Sequence, residues 1–177
     1  MRIIAGSARG TKLKFPSEET TRPTTARVKE SMFSILHFSL PGARVLDLYA
    51  GSGQLGLEAL SRGAESATFI DKKADVCEII KGNAQKCKLF EQCTIAALDA
   101  KEYLKTTKVQ YDIIFLDPPY EGSNIRSLLD IIARREIISL DGIVIVESNS
   151  PSGEYENFIV QKSVKYSGTY VTLFRLN

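Results

Sequence analysis

Asp117-Pro118-Pro119-Tyr120 follows directly on the apolar run Asp112-Ile113-Ile114-Phe115-Leu116. An amino group on an aromatic base is a weak nucleophile, because its lone pair is delocalised into the ring. Catalysis at such a nitrogen needs hydrogen-bond acceptors that hold the amino protons and favour a pyramidal geometry. The Asp117 carboxylate and the Pro118 carbonyl are acceptors of that kind. Pro118 and Pro119 stiffen the turn and so fix where those oxygens point. Tyr120 offers a flat face on which an unstacked base can lie, worth ~1–3 kcal/mol. A bare Asp-Pro-Pro turn is also a common structural device. Its position after a strand, downstream of a glycine-rich loop, gives it chemical meaning.

That loop is Leu46-Asp47-Leu48-Tyr49-Ala50-Gly51-Ser52-Gly53-Gln54-Leu55-Gly56. A strand ends in glycines and feeds a helix. The glycines allow a ligand to approach the backbone closely, and the helix N-terminus offers free N–H groups. Gly51, Gly53 and Gly56 spell GxGxxG, and Asp71 ends the next strand. This pattern fits a dinucleotide as well as S-adenosylmethionine. Asp71 can accept both hydroxyls of a ribose, and its competing use is to cap the helix from residue 73. Asp99 ends the third strand in the same way. It can accept from an adenine amino group, or cap the helix that starts at Ala100.

The elements that must carry these residues alternate. Strand-like runs cover 44–49, 67–70, 93–98, 112–116 and 142–146, short and apolar as strands buried on both faces should be. Helical stretches lie between them at about 54–62, 73–88, 100–106 and 124–135, with Gly63 as a C-terminal stop for the first. This order predicts an α/β domain, a parallel sheet with helices on both faces. Residues 158–166 and 169–176 read as two strands joined at Ser167-Gly168 with no helix between. The last strand therefore enters the sheet antiparallel. Before all this, residues 1–15 read as a hairpin around Gly6–Gly10, and 16–23 as a polar connector. A helix capped by Thr24 or Thr25 follows, running to about Phe38, with Val28, Met32, Ile35 and Leu36 at helical spacing.

The chain has 177 residues and a net charge of +2. Residues 1–40 hold seven basic side chains (Arg2, Arg9, Lys12, Lys14, Arg22, Arg27, Lys29) against three glutamates, an excess of four positive charges. The remainder is slightly acidic. A basic arm on a near-neutral body points to a polyanionic partner. The chain accordingly divides into a basic arm, 1–40, and a second domain, 41–177. With a single histidine, His37, neither a Ser-His-Asp triad nor a multi-histidine metal site is the natural reading, and no metal is expected. Cys77, Cys87 and Cys93 form no CxxC pair and read as reduced thiols. No apolar run reaches the ~20 residues of a membrane span, and the N-terminus has no signal-peptide core. The expected setting is the cytoplasm, with no membrane partner and the chain a monomer.

The two motifs, in this order, resemble the DPPY-type amino methyltransferases. More closely, the chain resembles the bacterial guanine-N2 methyltransferases of small-subunit (16S) ribosomal RNA. The resemblance runs over nearly the whole chain: Arg2-Ile3-Ile4-Ala5-Gly6, Arg9-Gly10, Arg22-Pro23-Thr24, Arg27-Val28-Lys29-Glu30, the loop from Leu46 to Gly53, and Leu57-Glu58-Ala59-Leu60-Ser61-Arg62-Gly63-Ala64. It implies a Rossmann-like class I methyltransferase fold of seven strands for the domain 41–177, and makes 1–40 an RNA-binding arm. It implies that Asp47, Gly51 and Gly53, with Tyr49, Ala50 and Ser52 around them, hold the methionine end of S-adenosylmethionine. It implies Asp71 at the ribose, Asp99 at the adenine, and Asp117, Pro118, Pro119 and Tyr120 at the target base. Arg22, Thr24 and Arg27 would lie near the mouth of the site, with Arg2, Arg9, Lys12 and Lys14 on the RNA. The partner so implied is ribosomal RNA or the small ribosomal subunit. Tyr49 stands where the family pattern has Phe, and Gln54 where it has a small residue. A DNA adenine-N6 methyltransferase shares Asp-Pro-Pro-Tyr but commonly carries an additional recognition domain. An NAD-dependent oxidoreductase would leave that motif and the basic arm unexplained. A non-catalytic RNA-binding module has no need of an acid at the end of each central strand.

Overall fold

The computed structural model describes residues 1–16, 26–118, 124–151, 153–166 and 168–177. The elements are α1 (Ala26–Ile35), β1 (Arg44–Leu48), α2 (Gln54–Ser61), β2 (Ser66–Asp71), α3 (Ala74–Cys87), β3 (Cys93–Ala97), α4 (Ala100–Thr106), β4 (Tyr111–Leu116), α5 (Ile125–Arg134), β5 (Ile138–Ser148), β6 (Phe158–Tyr166) and β7 (Thr169–Leu176). A 3-10 turn, Phe90–Gln92, precedes β3. The seven strands form one sheet in the order β3-β2-β1-β4-β5-β7-β6. The first five run parallel, and β7 inserts antiparallel between β5 and β6. The mostly parallel sheet with an antiparallel last strand is the architecture expected from the alternating pattern.

Alternate residues of each strand enter two separate cores, as strand geometry requires. Val45, Ala67, Phe69, Ile113, Phe115 and Ile145 pack with the arm, α1, α2 and α3. Leu46, Leu48, Ile70, Ile114, Leu116 and Val146 pack on the other face with α4 and α5. Helix α2 is buried along its whole length. Its Gly56 lies so close to Phe69 that an added Cβ would come within 2.3 Å of the ring. The helix stops in a double turn, with Gly63 N–H donating to Leu60 O and Ala64 N–H to Ala59 O, and Gly63 at φ +104°.

Element ends differ from the sequence reading in physically clear ways. Helix α1 stops at Ile35 rather than Phe38, because the chain then turns to bring Leu36 and Leu40 into the core and leaves Phe38 in solvent. The Thr24 or Thr25 cap lies outside the described residues. Strand β5 is longer than expected. Ile138 pairs with Tyr111 and Ile143 with Ile113, and a shift in register accommodates the extra residues between them. The hairpin of residues 1–15 holds only one ladder pair, Arg2 with Lys12. The N–H groups of Ile4 and Ala5 do not go across to the facing strand but to the Glu58 carboxylate, at 2.8 and 3.0 Å.

That diversion docks the arm. Glu58 is fully buried and also takes Lys29 Nζ at 3.2 Å and Arg62 Nε at 2.8 Å. Lys29, equally buried, donates to Arg2 O. Ser61 Oγ accepts from Ala8 N–H at 3.0 Å and donates to Ala5 O at 2.6 Å. Gly6, at φ +84°, passes so near the Ser61 carbonyl that an added Cβ would lie 1.6 Å from its oxygen. Ile3, Ala8 and Leu13 complete the seal with apolar burial.

Candidate active site

The carboxyl ends of β1, β2, β3 and β4 are level. Leu48 pairs with Ile70 and with Leu116, and Asp71 pairs with Ala97. The chain leaves β1 toward β2 on one side and reaches β4 on the other. At such a reversal the connecting loops part, and a crevice opens outside the strand ends. Asp47, the Tyr49–Gly53 loop, Asp71, Asp99 and Asp117 all belong to this edge.

Between β1 and α2 the backbone turns through left-handed conformations at Tyr49 (φ +62°), Gly51 (+53°) and Gly53 (+73°). A tyrosine there is strained by roughly 1 kcal/mol and persists only because strand and helix fix both sides. Ala50 N–H donates to Ile70 O at 3.1 Å, and Gly53 N–H to Ala50 O at 2.7 Å. Ser52 is buried, and its carbonyl accepts from Asn83 Nδ2. Two further N–H groups of this loop and helix meet carboxylates. Gly51 N–H donates to Asp71 Oδ2 at 3.1 Å, and Gly56 N–H, in the first turn of α2, to Asp47 Oδ2 at 2.9 Å.

Asp47 is 2% exposed. Burial pushes its carboxyl up to about 8; the Gly56 N–H pulls the other way, and the charges of Asp117 and Asp71 add to the rise. The three carboxylates thus share one electrostatic neighbourhood. Tyr49 is pushed up as well, by burial first and by Asp99 second. Asp71 Oδ1 accepts from Lys73 N–H at 3.0 Å just before α3, and Asp99 Oδ1 accepts from Lys101 and Glu102 N–H as the cap of α4. Asp117 is half-buried beyond β4, and Pro118 is buried. Pro119 and Tyr120 lie outside the described residues.

Of the residues assigned to RNA, Arg2, Arg9, Lys12 and Lys14 all have exposed side chains along the docked arm. Arg22 and Thr24 lie outside the described residues. Arg27 is the second residue of α1, and its side chain is not described. Lys29, counted with the arm's positive charge in the sequence, is buried against Glu58 and adds nothing to the solvent-facing field. Of the other basic side chains, Arg126 lies over the Tyr155 ring and donates to Glu154 O, while Arg135 donates to Thr107 O.

The family model described as Conserved hypothetical protein 95 matches residues 1–175. The chain belongs to that family. Among its relatives, the Bacillus subtilis protein YlbH, provisionally named an rRNA methyltransferase, is 38% identical over 83% of this chain and 82% of its own length. Ribosomal RNA small subunit methyltransferase D of Haemophilus influenzae is 35% identical over 84% of this chain and 78% of its own, and that of Escherichia coli 33% over 86% and 77%. A solved Escherichia coli structure, provisionally named the methyltransferase yhhF, superposes with a TM-score of 0.90 at 29% identity, covering 100% of this chain and 98% of that one. The fold of this Conserved hypothetical protein 95 member is therefore the class I methyltransferase fold.

Three residues that hold the arm to the body had no role assigned from the sequence: Lys29, Glu58 and Asn83, the last also holding Ser52 of the loop. Each is a polar residue on a buried helix face. Asn83 falls in register with Val76, Ile80, Ala84 and Cys87, all buried. Glu58 sits within the fully buried QLGLEALS helix.

Proposed function

We propose that the chain transfers a methyl group from S-adenosylmethionine to the exocyclic N2 of a guanine in small-subunit ribosomal RNA. One observation carries the choice of cofactor class. The N–H groups that a dinucleotide's pyrophosphate would use, at Gly51 and in the first turn of α2, already face carboxylates of the protein. The negative charge of Asp71 and Asp117 at that edge, which adds to the rise that burial imposes on the Asp47 carboxyl, repels an anionic ligand and attracts one with a sulfonium and an ammonium. The names of the relatives support methyl transfer and ribosomal RNA as its substrate.

When bound, S-adenosylmethionine supplies an electrophilic methyl on a sulfonium that leaves as a neutral thioether. Asp47 and the loop from Tyr49 to Gly53, including Ala50 and Ser52, hold the methionine end. Asp71 accepts from ribose hydroxyls; two backbone N–H groups already fix its orientation, and a carboxylate retains acceptor capacity beyond them. Asp99 takes the adenine amino group. Asp117 and the Pro118 carbonyl hold the guanine amino protons so that the nitrogen lone pair faces the methyl, and Pro119 and Tyr120 seat the unstacked base. Removing the guanine from its stack costs a few kcal/mol. Residues 1–40, through Arg2, Arg9, Lys12, Lys14, Arg22, Thr24 and Arg27, grip the RNA, and residues 41–177 carry out the transfer. We take the enzyme to work as a monomer in the cytoplasm.

Two measurements test this. Calorimetry should show saturable binding of S-adenosylhomocysteine and none of NAD; the reverse result removes the methyltransferase reading. Label from methyl-tritiated cofactor should appear in N2-methylguanosine after nuclease digestion, and Asp117→Ala should abolish it while leaving cofactor affinity nearly unchanged. Label in N6-methyladenosine would reassign the target base.

A further inference from the structure

Asn83, in the middle of α3, is 1% exposed and makes three hydrogen bonds. Its Oδ1 accepts from Lys14 N–H at 2.8 Å, and its Nδ2 donates to Lys14 O at 2.9 Å and to Ser52 O at 2.9 Å. The first two bonds satisfy both backbone groups of Lys14, as a neighbouring strand would. The third grips the loop between Gly51 and Gly53, where the chain is left-handed on both sides. A single planar amide therefore fixes the arm and the loop together. The other anchors of the arm do not do this: Glu58 and Ser61 hold it to the body of α2, and Lys86 Nζ reaches Lys12 O from the solvent side.

We propose that Asn83 is a positioning residue that couples the cofactor loop to the basic arm, so that cofactor and RNA strengthen each other's binding. The proposal rests on the cofactor and RNA assignments above. A ligand that orders the loop fixes Ser52 O, hence the plane of the Asn83 amide, hence Lys14. The ordering cost is then incurred once for two ligands, which is positive cooperativity without a large change of shape.

Coupling is read as the ratio of the Kd of S-adenosylhomocysteine without and with saturating, unmethylated small-subunit ribosomal RNA. For the wild type it should be about fivefold or more, the lower end of ordinary coupling between sites. For Asn83→Leu it should fall close to one, with affinity in the absence of RNA changed by less than about threefold. Asn83→Asp, which keeps size and the acceptor but loses both donated bonds, should do the same and serves if the leucine variant does not fold. Ser61→Ala loosens the arm away from the loop and should keep the wild-type ratio. Independently of RNA, S-adenosylhomocysteine should slow amide exchange at residues 11–15 in the wild type and not in the Asn83 variants. A wild-type ratio of one, or Asn83 variants that retain the wild-type ratio, overturns the coupling. A wild type that transfers no methyl to that RNA overturns the assignment of function, and the coupling with it.

Discussion

Replacing Asp47 with Asn removes a titrating group from beneath the glycine loop while keeping an oxygen for the Gly56 N–H. Burial, with Asp117 and Asp71 nearby, holds Asp47 up to about 8. The same carboxyl titrates at about 3.9 in an unfolded chain. The folded state thus binds this proton more tightly. The associated stability is fully present below about pH 4 and is lost as pH rises through about 8, a contribution on the order of 5 kcal/mol over that window. A cationic ligand beside Asp47 favours the carboxylate and expels the proton. At pH 7 a group that titrates near 8 is about nine-tenths protonated, so binding should release close to one proton per site. Calorimetry of S-adenosylmethionine at pH 7, repeated in buffers of different ionisation enthalpy, gives that count directly. Urea denaturation from pH 5 to 8 gives the stability slope. Asp47→Asn should abolish the proton release and flatten the slope. Proton release and a pH slope that both survive in the variant would show that another group titrates, and would refute the placement of the cofactor's positive end over Asp47.

Other perturbations probe the arm. Glu58→Ala leaves Lys29 buried without its counter-charge and two N–H groups without an acceptor, so urea denaturation should register a loss of about 3–5 kcal/mol. The paired Lys29→Met, Glu58→Gln change should cost less, because no lone charge remains. Gly6→Ala puts a methyl into the Ser61 carbonyl and adopts a left-handed backbone, so stability should fall by more than ~1 kcal/mol, with faster exchange at the Ile3 and Ser7 amides. Changing Arg9, Lys12 and Lys14 to Ala leaves the backbone groups that Lys86 and Asn83 use in place. It should leave S-adenosylhomocysteine binding normal, weaken RNA binding, and make its logarithmic salt slope shallower by about 0.7 for each phosphate no longer neutralised.

The sheet was legible because its strands are short apolar runs at regular intervals, and burial on two faces leaves no other use for them. The β6–β7 pair was legible from the missing helix between them. The arm was legible in its charge but not in its packing. Its hydrogen bonds go to Glu58, Ser61 and Asn83, which lie 53 to 69 residues away in sequence, and local pattern carries no information on such partners. What could have marked them is chemical: a Glu in a helix rich in Leu and Ala, and an Asn on a stripe with Val76, Ile80 and Cys87. A charged or amide side chain is kept in such a place only if it is paired. Lys29 teaches the same lesson from the other side, since its charge was counted for the surface and is spent inside.

In the sequence, capping a helix and binding a ligand stood as rival uses of Asp71 and Asp99. The geometry makes them compatible for Asp99, while for Asp71 the capping use is not realised, since α3 starts from Lys73 with no side-chain cap. Asp99 uses a single oxygen, Oδ1, for both cap bonds. Asp71 accepts from Gly51 on one oxygen and from Lys73 on the other, both in directions set by backbone. A carboxylate anchored this way is already oriented, so a ligand that binds it need not order it. Strand β3 leads into a fixed acid on which α4 begins, whereas Asp71 binds the N–H of Lys73, the residue before α3, and does not cap that helix. The start of α4 is thus also a fixed point on the edge of the crevice. Replacing Asp99 by Asn separates the two uses, because an amide oxygen still caps α4 while the negative charge beside Tyr49 is lost. The variant should keep the wild-type urea midpoint to within the effect of one cap, ~1 kcal/mol. It should bind S-adenosylhomocysteine more weakly. Unchanged affinity would leave Asp99 a cap alone.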